Sequence, residues 1–280
     1  GLQARDFSAR GRNDAATGFT IEIGNGPTLK ILVCNDAGLD APGLRLLADA
    51  ARTLSDDVWV VAPDRKWSAA SHQLSFDRDL TLAAAGTRRF ACSGAPADCV
   101  VAAMTVLFTG EAKPDLVLSG INDKRNVAED AAYSGTMAVA REATFWDVPA
   151  IAFSRAVPAI DEASDQPALA RLIDALWQGR AQWVAPRHWL ALNLPAALPA
   201  PIAQARISQG DKIGGSSKIV SRTAERIVYR IVRGRPATHA AGDESSVVDA
   251  GRIALVRHRW DADVPLPDAA VAAWSAAATR

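Results

Sequence analysis

Three short polar clusters stand at the ends of apolar runs in this 280-residue chain: Asn35-Asp36, the segment around Ser68, and Asn122-Asp123. Each supplies oxygen donors, as carboxylate, hydroxyl or amide carbonyl. If the runs are successive parallel strands, their carboxyl ends share one crevice, where open α/β sheets hold ligands. Such a donor set suits a hard divalent cation such as Mg²⁺, Mn²⁺ or Ca²⁺ rather than zinc. An ion with open positions there would bind a phosphate and acidify a water. A plainer role for Asp36 is to cap the helix that follows it.

The elements that must position these groups are legible as buried runs. Residues 29–34 form a continuous apolar stretch, the mark of a strand covered on both faces. An apolar pattern at helical spacing follows over 41–51, with Asp40 as its N-cap and Pro42 in its first turn. A second strand spans 58–62 and completes a βαβ unit, whose crossover is right-handed by rule. The polar segment 65–72 then lies at the same sheet end as Asp36. Weak alternation over 74–92 reads as a short β-ribbon. A helix opens at Pro96, a third strand covers 114–119 and ends in Gly120-Ile121-Asn122-Asp123, and a helix covers 134–145. Strands over 148–154 and 189–194 flank an amphipathic helix at 169–177.

Beyond about residue 200 the βαβ rhythm stops. Segments 202–208 and 225–232 read as strands separated by the Gly-rich 214–217. Another strand spans 253–256, and an Ala-rich helix follows Pro267. The fold class is therefore α/β, a Rossmann-like three-layer core with a mostly parallel sheet and a β-rich C-terminal extension. Residues 1–26 read as a flexible polar extension and 27–280 as one domain, with a core over 27–200 and an arm with a terminal helix over 201–280.

Composition excludes several classes. Lys+Arg and Asp+Glu balance at 31 each, so no net field favours duplex nucleic acid or an anionic membrane. No run reaches the ~20 apolar residues of a membrane span, and Arg5, Arg10 and Arg12 precede no apolar signal core. Cys34, Cys92 and Cys99 sit in apolar runs and read as buried free thiols, which fits a reducing, cytoplasmic setting. The four histidines lack ligand spacing, and His72 reads as a surface or supporting residue rather than a general base. No G-x-G-x-x-G, Walker A, G-x-S-x-G or H-E-x-x-H motif is present.

Five blocks across residues 31–154 resemble the SurE survival-protein nucleotidases. The stretch from Ile31 through Asn35-Asp36-Ala37-Gly38 to Ala41-Pro42-Gly43 is similar to that family's N-D-D-G-x-x-A-P-G. Ala62-Pro63-Asp64-Arg65-Lys66-Trp67-Ser68 resembles A-P-D-R-x-x-S. Gly94-Ala95-Pro96-Ala97-Asp98-Cys99-Val100 resembles G-T-P-A-D-C-V. Ser119-Gly120-Ile121-Asn122 and Tyr133-Ser134-Gly135-Thr136 match S-G-I-N and Y-S-G-T. The C-terminal third matches loosely, with Glu244 to Gly251 similar to a D-x-x-A-x-x-x-G segment.

The resemblance implies a divalent-metal-dependent phosphomonoesterase acting on nucleoside 5′- or 3′-monophosphates through a metal-activated water. It implies one Mg²⁺ or Mn²⁺ per subunit, on Asp36, position 37, Ser68 and Asn122. Asn35, Asn126 and the Ser134-Gly135-Thr136 turn would contact phosphate, since amides opening a helix hold anions. It also implies a homodimer or homotetramer built through the β-rich arm.

The pattern breaks at position 37, which is alanine where the family carries its second aspartate. Ala69 also replaces a customary glycine, and Asp123 to Asp130 replaces a glycine-rich stretch. Affinity in such sites follows the count of charged ligands, so one lost carboxylate weakens metal binding. Asp123 is a candidate for the missing charge, and Lys124 or Arg125 for direct contact to phosphate. The chain then reads as a retained nucleotidase, a phosphatase specialised for another phosphoester, or a non-catalytic binder of nucleotide or phosphate.

Overall fold

The computed structural model describes residues 28–110, 112–156, 160–209, 214–233, 239–261 and 264–278. The expected extension over 1–26 lies outside the described residues.

Strand β1 (Ile31–Cys34) is buried along its whole length and pairs in parallel with β2 (Val58–Pro63) on one side and β5 (Leu116–Asn122) on the other. Helix α1 (Pro42–Arg52) joins β1 to β2. The ribbon expected over 74–92 is β3 (Leu82–Gly86) against β4 (Arg89–Cys92), antiparallel, with β4 parallel to β2. After α2 (Pro96–Ala102) and β5 come a short α3 (Asp130–Tyr133), α4 (Gly135–Phe145) and β6 (Ala150–Arg155). Helix α5 (Glu162–Gln178) leads to β7 (His188–Leu194), which is parallel to β6.

Side-chain alternation sorts the core into two layers. Ile31, Val33, Leu118, Ile151, Phe153 and Leu192 pack on one face with Leu44, Leu47 and Ile173 of α1 and α5. Leu32, Cys34, Val61 and Val117 face the other way, with Cys99 and Met137 of α2 and α4. Ala150, Ala152 and Ala191 lie on this second face. Their small side chains suit the close approach of α4, whose own inner residues include Ala140 and Ala143.

Two strands beyond residue 200 complete the main sheet. β11 (Ile253–Arg259) pairs antiparallel with β7, and the short β8 (Ile202–Gln204) pairs in parallel with β11. The nine-stranded order is β3-β4-β2-β1-β5-β6-β7-β11-β8. Strands β9 (Gly214–Arg222) and β10 (Ile227–Arg233) form a separate two-stranded ribbon. The Gly-rich 214–217 is thus the start of β9 and not a separator. Its main-chain groups pair with β10 whatever the side chains, so composition alone hides the strand. Helix α6 (Glu244–Asp249) precedes β11, and α7 (Asp268–Ala278) closes the chain.

One local expectation is corrected. The N-cap of α1 is Ala41, without a side-chain cap. Asp40 points outward to Arg89 at 2.9 Å, so Pro42 alone sets the helix start.

Candidate active site

The chain leaves β1 through a turn built by Asn35, which is fully buried. Its Nδ2 donates to the Gly38 carbonyl at 2.9 Å, and its Oδ1 accepts from the Gly38 amide at 3.2 Å. Gly38 has φ +103°, where a side chain is strained. Both polar ends of Asn35 are therefore spent on the turn that presents Asp36.

Asp36 is only 8% exposed, and burial pushes its carboxyl up to about 6 from the ordinary value of 3.8. Thr136 opposes that shift by donating its hydroxyl to Oδ1 at 2.9 Å. Among the described residues Oδ2 carries no hydrogen bond to a second residue. Asp36 does not cap α1. Its burial leaves a carboxylate whose charge nothing nearby offsets fully, the electrostatic condition a cation relieves.

The 64–72 loop is tied to this turn, as the Trp67 amide donates to the Asp36 carbonyl at 2.8 Å. Further along, the Ser71 amide and hydroxyl reach the Tyr133 and Ala132 carbonyls at 2.9 and 2.8 Å. Ser68 itself is exposed and makes no hydrogen bond among the described residues. Ala69 holds φ +55°, the left-handed conformation that explains a customary glycine there. Trp67 packs its ring under the Arg65 guanidinium, 4.6 Å from the ring centre.

At the end of β5, Asn122 donates Nδ2 to the Lys124 carbonyl at 2.6 Å, which leaves its Oδ1 as the free acceptor. Asp123 binds Lys66 across the crevice, Nζ to Oδ2 at 2.7 Å. Ala37, Lys66, Asn122 and Asp123 line one cleft of about 280 Å³, whose inner wall includes Pro42, Ile121 and Arg155. Neither Asp36 nor Ser68 is among the residues lining this cleft; the cation whose charge acts on the Asp36 carboxyl is Lys66. Arg125, expected near phosphate, pairs instead with Asp249 at 2.9 Å, and Lys124 is exposed.

Asp36 also touches the amino end of α4. Ser134 caps this helix, accepting from the Met137 amide at 3.1 Å, and donates its hydroxyl to Asn126 Oδ1 at 2.8 Å. Ser154 donates to the same oxygen at 2.9 Å. With Oδ1 doubly engaged, the amide NH₂ is the end of Asn126 left to donate to an anion. A Cβ on Gly135 would sit 2.6 Å from Asp36 Cβ and 2.8 Å from Pro96 Cγ, so only glycine lets the helix start touch the carboxylate. Amides at such a helix end attract anions.

By the chemistry of their donors, the Asp36 carboxylate, Asn122 Oδ1 and the Ser68 hydroxyl are oxygen ligands of the kind a hard cation takes, with Asp36 as the one charged ligand. Ala37 contributes a methyl group to the cleft, and among the described residues no cluster of three His, Cys, Asp or Glu side chains could hold a metal. A donor set with one carboxylate is not that of a closed structural metal centre.

Some residues lie elsewhere. His72 bonds Glu142 at 2.7 Å and stacks on Phe145, clear of the cleft. Sequence reasoning missed Lys66, which lies inside a quoted motif but shows its role only through its partner. It also missed Glu244, whose fully buried Oε2 accepts from the Ala128 and Ser208 amides, each at 3.1 Å.

A mostly parallel sheet with a buried carboxylate at a strand end, hydrogen-bonded to the first turn of a helix, defines an α/β protein of Rossmann-like architecture. Residues 31–213 match the family model described as Survival protein SurE. The chain is 38% identical over 224 residues to the 5'-nucleotidase SurE of Rhodopseudomonas palustris (strain BisB18), covering 79% of this chain and 85% of that protein. It is 50% identical over 127 residues to the 5'-nucleotidase SurE of Bradyrhizobium sp. (strain ORS 278), spanning 45% of this chain and 49% of that protein. The crystal structure of the SurE protein from Aquifex aeolicus aligns with a TM-score of 0.69 at 29% identity, over 84% of this chain and 94% of that one. The chain belongs to the SurE family.

Proposed function

We propose that this protein is a divalent-metal-dependent phosphomonoesterase acting on nucleoside 5′- or 3′-monophosphates. One observation carries the reading: the Thr136–Asp36 hydrogen bond fastens a buried carboxylate to the amino end of α4. Cation anchor and anion cradle thus share one rigid corner.

Asp36, Ser68 and Asn122 would hold a Mg²⁺ or Mn²⁺ ion, one per subunit, and a bound ion supplies Lewis acidity and an acidified water at neutral pH. The Ser134-Gly135-Thr136 turn and the Asn126 amide would orient the phosphate by donating to its oxygens. Asn35 would keep the Asp36 turn in place, and the walls formed by Pro42 and Ile121 would exclude water from the leaving-group side.

The test is phosphate release from nucleoside monophosphates and an aryl phosphate across a Mg²⁺, Mn²⁺ and Ca²⁺ panel. Release with Mg²⁺ or Mn²⁺, abolished in Asp36→Ala, is the expected result. A second reading rests on Ala37, whose methyl group leaves the site one carboxylate short: a protein that binds nucleotide without turnover. That reading is upheld if no metal supports release while nucleotide still binds.

The wider assignments belong to the same proposal. Residues 201–280 would act as an oligomerisation arm through the β9–β10 ribbon, where Ile219, Val220, Tyr229 and Ile231 are all more than half exposed. Light scattering should then give a dimer or tetramer; a monomeric mass sinks this part. Three buried free thiols suit a reducing cytoplasm, and no described helix is long and apolar enough to cross a membrane.

A further inference from the structure

The Lys66–Asp123 ion pair lines the same cleft as Ala37, the position where the family resemblance calls for a second carboxylate. Both side chains are about half exposed, 52% and 45%. Pairs of this kind are worth little and break readily. Asp123 follows directly on Asn122, the residue proposed to complete the cation shell. Lys66 lies two residues before Ser68, on the loop tied to the Asp36 carbonyl. The crevice therefore contains one more acid than the Asn-Asp-Ala turn supplies, held in reserve by a lysine.

We propose, on the reading of the site as a cation-dependent phosphatase centre, that Lys66 and Asp123 exchange partners when the site fills. Asp123 turns from Lys66 to the cation on Asp36 and replaces the carboxylate missing at position 37. Lys66 Nζ, released, donates to the phosphate. The two ligands then assist each other, since each relieves one half of the broken pair. A lysine is suited to this role as a compact charge on a flexible stem. Lys66 is in this account a phosphate-contacting residue, and Asp123 a cation ligand recruited from outside the usual position.

Binding measurements separate the two roles without recourse to turnover. Calorimetric titration of the full chain with Mn²⁺ alone should show Asp123→Asn weakening the affinity by roughly tenfold or more. Lys66→Gln should instead tighten Mn²⁺ severalfold, because the competitor for Asp123 is gone, while weakening inorganic phosphate in saturating Mn²⁺. Wild-type protein should bind phosphate more tightly with Mn²⁺ than without it, and Lys66→Gln should lose most of that gain. Arg171→Gln, at an exposed position of α5 away from the cleft, should change neither titration.

Unchanged Mn²⁺ affinity in Asp123→Asn, with binding still lost in Asp36→Asn, overturns the exchange and leaves the cation site standing. Weaker Mn²⁺ binding in Lys66→Gln also overturns it, since the lysine would then be a support and not a competitor. Absence of any Mn²⁺ binding in wild type overturns the underlying reading along with the exchange. Circular dichroism on each variant confirms that the fold is retained, as both side chains lie at the surface.

Discussion

Thr136 donates its hydroxyl to Asp36 Oδ1 at 2.9 Å, joining two residues 100 positions apart in a buried contact. The bond does two things at once. It stabilises the ionised form of a carboxyl that burial pushes toward neutrality. It also registers the start of α4 against the end of β1, which places the helix amides beside the carboxylate. Thr136 has no exposed surface, and its carbonyl accepts from Ser119 at 2.8 Å, so the residue is held from two sides.

Replacing Thr136 with Val keeps the shape and removes only the donor. A buried charged group that loses one hydrogen bond costs about 1.5–3 kcal/mol. Thr136→Val should lose that much stability in urea denaturation at neutral pH and should bind Mn²⁺ more weakly. Thr136→Ser, which restores the donor, should recover most of the metal affinity. Equal metal affinity in Val and Ser variants would show that the hydroxyl does not serve the carboxylate.

The loop carrying Asn126 depends on a residue far along the chain. Glu244 is fully buried, and its Oε2 satisfies the amides of Ala128 and Ser208. Asn193 secures the same loop, bonding the Asn126 amide at 2.8 Å and its carbonyl at 3.0 Å. Glu244→Ala would leave two buried N–H groups unpaired, a loss of about 2–4 kcal/mol. Glu244→Gln keeps an acceptor, and burial already pushes the native carboxyl toward its neutral form, so its cost should be small. If the site is a phosphatase centre, KM for the phosphomonoester should rise in Glu244→Ala more than in Glu244→Gln. Equal stability of the two variants in urea would refute the role given to Oε2.

Much of this architecture was legible because it rests on local pattern. Continuous apolar runs mark β1, β2, β5, β6 and β7, since strands covered on both faces tolerate few polar residues. The polar tips of β1 and β5 follow from where those runs stop, and helices α1, α2 and α4 from their periodicity and opening residues. What escaped was set by distance in the chain. The Lys66–Asp123 and Arg125–Asp249 pairs join positions 57 and 124 residues apart, and no spacing rule selects one cation over its neighbours. Asp40 has the right type and place for an N-cap, yet Arg89 draws it away. Glu244 resembles any surface acid in a helical first turn until the fold buries it.

His258 on β11 supplies a pH dependence remote from the cleft. Its ring stacks on Trp189, 5.2 Å between centres, and its Nε2 is buried without a partner. Burial, aided by the Arg141 charge, lowers its pKa from 6.5 to about 4. The folded state therefore binds a proton less readily than the unfolded chain does. This stability is fully present above pH 6.5 and is lost as pH falls through about 4. The loss attributable to this one residue should reach roughly 3 kcal/mol by pH 4. His258→Phe keeps the stacked ring and removes the titration. Urea denaturation from pH 8 to pH 4 should give a variant that matches wild type at the alkaline end, or differs by a constant, and gains on it steadily below pH 6.5. A constant difference across the whole range would mean that His258 takes up its proton as readily in the fold as outside it.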